Sequence, residues 1–273
     1  MFNVRRFAPI FILLLAQILW ADPGRIVSLA PSATKCIDLL GCGNKLVGIT
    51  VYCPDPSNSI EKIGTVLEPN IEKIVSLKPD LIIASKEANQ IQSVEKLRQM
   101  GFQVYVMDSS NNFDDICRVF IGLGRFLKLE QKAEDIVNQS KLRVEQVKKR
   151  VEKLSKPSVF WEVGAQPMFT VSKKSFVNDF IVFAGGQNIF SELPSRYPQI
   201  SREEVVLRDP DYIIMVTMGD LGSHELASWA KFKTLKAVKY SRVMCLQESI
   251  FTIPTPDAIA AGIEKISGIL HPK

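Results

Sequence analysis

The apolar residues of this chain fall into short runs that recur at regular intervals. Runs rich in Val, Ile and Leu lie at 25–29, 46–51, 80–85 and 103–108, and again at 158–163, 211–216 and 243–246. Each has the length of a β-strand, and most are apolar without alternation, as expected of strands buried on both faces. Helix-length amphipathic segments separate them. A parallel pair of strands needs such a crossover, so the alternation predicts an α/β fold of mainly parallel sheets covered by helices.

One phrase is written twice. Residues 71–85, IEKIVSLKPDLIIAS, superpose on residues 202–216, REEVVLRDPDYIIMV, at an offset of 131 positions that puts Glu72 on Glu203, Pro79 on Pro210 and Asp80 on Asp211. Each copy reads as a helix stopped at the proline, a tight turn and a buried strand. One copy in each half predicts two related lobes.

Between the halves, Ala133, Val137, Ser140, Val144, Val147, Val151 and Leu154 recur at steps of three and four, which gathers them on one stripe of a helix over 128–154. Its 27 residues would span about 40 Å. Pro157 marks its end. The organisation expected is therefore an N-terminal lobe over 22–127, a rigid connecting helix over 128–156 and a C-terminal lobe over 157–273, with a cleft between the lobes.

Residues 1–21 stand apart: Arg5 and Arg6 precede an apolar run ending at Trp20 and then Ala21, the order of regions in a secretory leader. The run holds Pro9 and Gln17 and is shorter than the roughly 20 residues that cross a bilayer. Export to the periplasm with cleavage near Ala21 is expected. Removing the leader takes away two arginines and lowers the net charge from +5 to +3, too mild to point to nucleic acid. Five cysteines, Cys36, Cys42, Cys53, Cys117 and Cys245, allow a disulfide in an exported chain, with Cys36 to Cys42 or Cys53 the nearest pairings in sequence. No CxxC spacing occurs, and no metal site is expected.

Catalytic constellations are absent from the sequence. There are two histidines, His224 and His271, and no GxSxG, GxxxxGK[ST], HExxH or GxGxxG pattern. No catalytic residues are assigned and the chain is not expected to be an enzyme; the rival is carboxylate catalysis by Glu162 or Asp257. Gly122 and Gly124 read as a bend or cap at a helix end, and Gly185-Gly186 as a cap needing positive φ. Tyr52, Phe169 and Tyr197 sit in loops of both halves, where they would either line a common cleft or pack beneath their own loops. Glu72 and Glu203 follow the helix caps Asn70 and Ser201. An acid there gains about 0.3–1 kcal/mol from the helix dipole, so stability accounts for each singly but not for their matched placement on two lobes.

With RIVSLAPSATKCIDLLGCGNKLVGI, IEKIVSLKPDLIIAS, MFTVSKKSFVNDFIVFAGGQNIF and YPQISREEVVLRDPDYIIM in this order from about Arg25 onward, the chain resembles the helical-backbone class of substrate-binding proteins of ABC importers, and its cobalamin-binding members most. The resemblance implies a monomer with a metal-chelate ligand in the cleft and no bound cofactor of its own: cobalamin first, haem or a ferric siderophore as alternatives. It implies that Glu72 and Glu203 meet basic residues of a dimeric permease. Its cleft positions fall on Pro31, Ser32, Ala33, Tyr52, Phe169 and Tyr197, with Glu248 and Phe251 in a late loop. Three positions depart from the pattern: Ser85 and Tyr197 stand where cobalamin binders have tryptophans, and Ala184 stands where they have a second-lobe cysteine. Under the haem alternative, Tyr52 or Tyr197 would supply a phenolate to iron.

Overall fold

Among the described residues, two parallel sheets, each covered by helices, form the body of the protein, with a short antiparallel hairpin beside the second. The computed structural model describes residues 23–55, 58–216, 221–247 and 249–272; the leader expected at 1–21 and the ligand position expected at Glu248 lie outside the described residues.

The first half runs β1 (Ile26–Ser28), α1 (Pro31–Leu39), β2 (Leu46–Ile49), β3 (Glu61–Lys62), α2 (Ile71–Ser76), β4 (Leu81–Ser85), α3 (Ile91–Gln99), β5 (Val104–Met107) and α4 (Phe113–Phe126). Its five strands are ordered β3-β2-β1-β4-β5, all parallel. Ile26, Val27, Ile82 and Ile83 are wholly buried, because helices cover both faces of the central strands.

After the connecting helix α5 (Glu130–Val151), the second half runs β6 (Ser158–Glu162), β7 (Gly164–Ala165), β8 (Met168–Phe169), α6 (Val177–Phe183), β9 (Gln187–Asn188), α7 (Arg202–Arg208), β10 (Tyr212–Val216), α8 (Leu221–Trp229), α9 (Lys236–Lys239), β11 (Val243–Leu246) and α10 (Pro256–Leu270). The order β11-β10-β6-β9 repeats that of the first sheet, with β6 in the place of β1 and β10 in the place of β4. The two copies of the repeated phrase thus occupy equivalent positions, α2 to β4 and α7 to β10. Their turns match as well: Lys78 and Asp209, each just before the proline, adopt left-handed φ values of 47° and 45°. The caps are as expected, Asn70 accepting from Lys73 N and Ser201 forming a capping box with Glu204.

The connecting helix has 22 residues, about 33 Å, rather than the 27 read from the apolar stripe. Lys128, with φ of 58°, turns the chain between α4 and α5, and Leu154 lies beyond the helix, 44% exposed. The other six stripe residues are buried. They pack against α4 on one side and α10 on the other, so a single apolar core continues from one sheet to the other. Arg143 ties α5 to α10, with Nε and Nη2 donating to the Glu264 carboxylate at 2.9 and 2.8 Å and Nη1 donating to Asp257 at 2.6 Å. Gly122 and Gly124 lie within the last five residues of α4, as expected, but neither is its cap, which is Leu127. A Cβ on Gly124 would stand 2.4 Å from the Ala133 Cβ, so this glycine lets α4 and α5 approach. Gly185 does have the positive φ expected of a cap, 86°.

All five cysteines are unbridged, and neither pairing of Cys36 with Cys42 or Cys53 is made. Burial pushes the Cys36 and Cys117 thiols up to about 12, which keeps them protonated and unreactive.

Candidate ligand cleft

A cavity of about 640 Å³ opens between the carboxyl edges of the two sheets, within the range of small-molecule sites. Its position follows from topology. In each sheet the chain leaves the central strand to one side and returns on the other, and the loops at that reversal leave a crevice beyond the strand ends.

From the first half, Pro31 and Ser32 enter the cavity wall directly after β1, and Ser85, Glu87 and Ala88 directly after β4. Asn89 fixes these two loops. Its Oδ1 accepts from Ser85 N at 2.8 Å, while Nδ2 donates to Leu29 O at 2.9 Å and Val66 O at 2.8 Å. The second half contributes an aromatic wall. Trp161, near the end of β6, stacks on Phe180 at an interplanar angle of 12° and meets Phe251 edge-on, the ring centroids 5.8 Å apart in both pairs. Trp161, Phe176, Val216 and Phe251 all line the cavity. Tyr197 closes one side on a loop that pairs with the edge of β8: Thr170 N donates to Pro198 O at 3.0 Å and Ile200 N to Met168 O at 3.1 Å.

Of the positions expected to bind ligand, Pro31, Ser32, Tyr197 and Phe251 come together in this wall. Ala33, one step further along α1, points into the core and is fully buried. Phe169 pairs with Gly164 in the β7-β8 hairpin and bridges to Gln199, which places it behind the Tyr197 loop and not in the cavity lining. Tyr52 is 62% exposed and also outside the lining. Ser85, which departs from the family pattern, does line the cavity. Trp161, Phe176 and Glu87 were not singled out from sequence. The signal for Trp161 was a bulky aromatic at the carboxyl end of a predicted strand, followed by Gly164.

The lining is apolar except for a few groups. Among the described residues, Glu87 is its only ionisable side chain apart from the Tyr197 phenol. Neither acid considered for catalysis faces this space. Glu162 points to the opposite side of β6, where it is buried and its Oε2 accepts from Trp229 Nε1 at 2.9 Å. Burial pushes its carboxyl up to about 7, and nearby Glu225 adds to the rise. Asp257 is committed to Arg143. Among the described residues, no group of three or more His, Cys, Asp or Glu is placed to hold a metal ion.

Glu72 and Glu203 each occupy the second position of their helix, α2 and α7, and both are exposed. Each helix runs back along the strand that follows it, so each acid stands near the carboxyl edge of its own sheet, the edge that borders the cleft.

A sequence model of periplasmic binding proteins matches residues 26–249. A vitamin B12-binding protein of Vibrio parahaemolyticus is 28% identical over 245 residues, which cover 88% of this chain and 87% of the relative. One from Pectobacterium atrosepticum is 29% identical over 233 residues, 83% of each. The crystal structure of the periplasmic vitamin B12 binding protein of Vibrio cholerae superposes with a TM-score of 0.74 at 28% identity, covering 91% of this chain and 97% of that one. A periplasmic heme binding protein from Pseudomonas aeruginosa shares the fold, with a TM-score of 0.82 at 19% identity and coverage of 92% and 94%.

Proposed function

This chain belongs to the periplasmic binding protein family, and from that premise we propose that it captures a metal chelate, cobalamin first, and passes it to the dimeric permease of an ABC importer. The observation that carries this reading is the cavity itself: an apolar slot between two sheets, walled by Trp161, Phe176, Phe251 and Tyr197 on one side and by the Pro31 and Ser85 loops on the other. Flat aromatic and aliphatic surfaces suit a large ring system, whose contact area releases water from both partners. Four of the cleft positions implied by the cobalamin-binding likeness, Pro31, Ser32, Tyr197 and Phe251, meet there.

The protein acts as a monomer in the periplasm after loss of its leader, and takes no part in bond-making. Glu72 and Glu203 are the contacts to the permease. A two-fold partner offers the same basic socket twice, and two equivalent helix starts on two related lobes supply the matching pair.

Haem is the second reading, favoured by one observation: the Tyr197 phenol lies at the cavity, where it can reach an iron, while Tyr52 lies outside it. Calorimetric titration of the purified protein with cyanocobalamin, haemin and a set of ferric siderophores separates these. Saturable one-to-one binding of cyanocobalamin is expected. Preference for haemin, with a Soret band lost in Tyr197→Phe, would move the assignment to haem, and binding of none would defeat the proposal.

A further inference from the structure

One pair of charged residues joins the two lobes at the rim of the cavity. Arg196, from the loop that carries Tyr197, donates from Nη1 to Glu87 Oε1 at 2.7 Å and from Nη2 to Ser110 O at 2.7 Å. Glu87 Oε1 also accepts from Ser110 N at 3.0 Å. The guanidinium lies 5.4 Å from the centre of the Tyr197 ring, so the pair and the aromatic form one edge of the opening. Both side chains are largely shielded, at 25% and 30% exposure, and their charges are screened less than those of a surface pair.

These bonds leave one acceptor unspent at the cavity. On Glu87, Oε1 takes both hydrogen bonds and Oε2 takes neither. On Arg196, both Nη atoms are engaged and Nε is buried with no partner. The free Glu87 oxygen, at the edge of a mostly apolar cavity, is an acceptor suited to the N–H of a primary amide. A carboxylate offers acceptors only. It would leave Glu87 Oε2 without a donor and set a second negative charge beside Glu87, whose own countercharge is already fully shared.

We propose, resting on the cleft reading above, that Glu87 and Arg196 form a specificity site that selects a chelate with an uncharged amide rim over one whose rim carries carboxylates. Cobalamin, with primary amides around its corrin, satisfies the site; haem, with two carboxylates, meets Glu87.

A matched pair of ligands tests this: cyanocobalamin and its monocarboxylic acids, made by hydrolysing one rim amide, titrated into the parent protein, Glu87→Gln and Arg196→Gln at pH 7. The parent is expected to prefer the amide over at least one of the acids by about tenfold or more. That preference should shrink to within about threefold in Glu87→Gln, which keeps the hydrogen-bonding shape without the charge, and should widen in Arg196→Gln, which leaves Glu87 uncompensated. A preference that is the same in all three proteins, with cyanocobalamin still bound, overturns this inference alone. Failure of the parent to bind cyanocobalamin overturns the cobalamin reading of the cleft and this inference with it.

Discussion

Asp80 and Asp211, 131 positions apart in the repeated phrase, make the same bond in their two sheets: each aligns the start of the neighbouring central strand. Asp80 Oδ2 accepts from Gly24 N and Arg25 N, both at 2.9 Å, at the entry to β1. Asp211 Oδ2 accepts from Ser158 N at 2.8 Å and Ser158 Oγ at 2.7 Å, at the entry to β6. The repeated proline and aspartate are thus accounted for by the fold. The repeated glutamates are not, since Glu72 and Glu203 are exposed and, among the described residues, in no ion pair. The phrase divides into a part that builds two sheets and an exposed part that the proposed permease contact would use.

The aspartates should therefore matter to stability in proportion to their burial. Asp211→Ala removes the acceptor of a part-buried charged pair of bonds and is expected to cost about 1–3 kcal/mol in urea unfolding. Asp80→Ala, at an exposed site, should cost less than Asp211→Ala. Equal costs, or none for Asp211→Ala, would remove the aspartates from the account of the repeat.

The glutamates should behave in the opposite way. Glu72→Ala combined with Glu203→Ala should leave the affinity for cyanocobalamin unchanged and abolish uptake in cells that depend on this protein, with stability lowered by no more than about 1 kcal/mol for each lost dipole interaction. Undiminished uptake by the double variant would reduce both acids to helix-stabilising residues.

At the contact of α4 with α5, Gly124→Ala would bring a methyl group to 2.4 Å from the Ala133 Cβ and 3.3 Å from Leu129 O. The helices must separate, at a cost of roughly 1–3 kcal/mol by chemical denaturation. Adding Ala133→Gly should recover part of the loss, because the obstructing methyl is then gone; no recovery would show that the strain arises elsewhere.

Glu162 gives the protein a pH dependence of known sign. Burial, with Glu225 nearby, raises its carboxyl from the ordinary 4.5 to about 7, against the opposing effects of the Trp229 N–H and Arg202. The folded protein then binds a proton that the unfolded chain has released, so stability is lost as pH rises from about 4.5 through about 7. Glu162→Gln should match the parent near pH 5 and exceed it at pH 8 by roughly 1–3 kcal/mol in unfolding free energy. Asp179, raised to about 6 mainly by burial, adds a slope of the same sign to both proteins and cancels in the comparison. A parent and variant that change in parallel from pH 5 to 8 would contradict the assignment.

How far the sequence reached depended on the length of each signal. The seven apolar runs all became strands of the two main sheets, because short runs rich in β-branched and aromatic residues between turn formers have few other uses. β3, β7, β8 and β9 have two residues each, too few to show a period, and were not foreseen. The stripe from Ala133 to Val151 was read correctly because six buried positions repeat, whereas Leu154 merely continued the spacing past the helix end. In the cleft, Tyr197 and Phe251 were legible from loops and resemblance. Trp161 was hidden inside a strand, and Glu87 and Arg196 are 109 positions apart, a distance no local pattern spans. Phe169 shows the converse: an aromatic read as a loop residue that the structure puts in β8, outside the cavity lining.

The central claim, that a corrin-sized chelate lies between the two sheets, is tested most directly by a crystal structure of the protein with cyanocobalamin. The account predicts the ring system in the cleft, in contact with Trp161, Tyr197 and Phe251 on one side and with the Pro31 and Ser85 loops on the other. A ligand seated on one lobe alone, or anywhere outside this cavity, would contradict it.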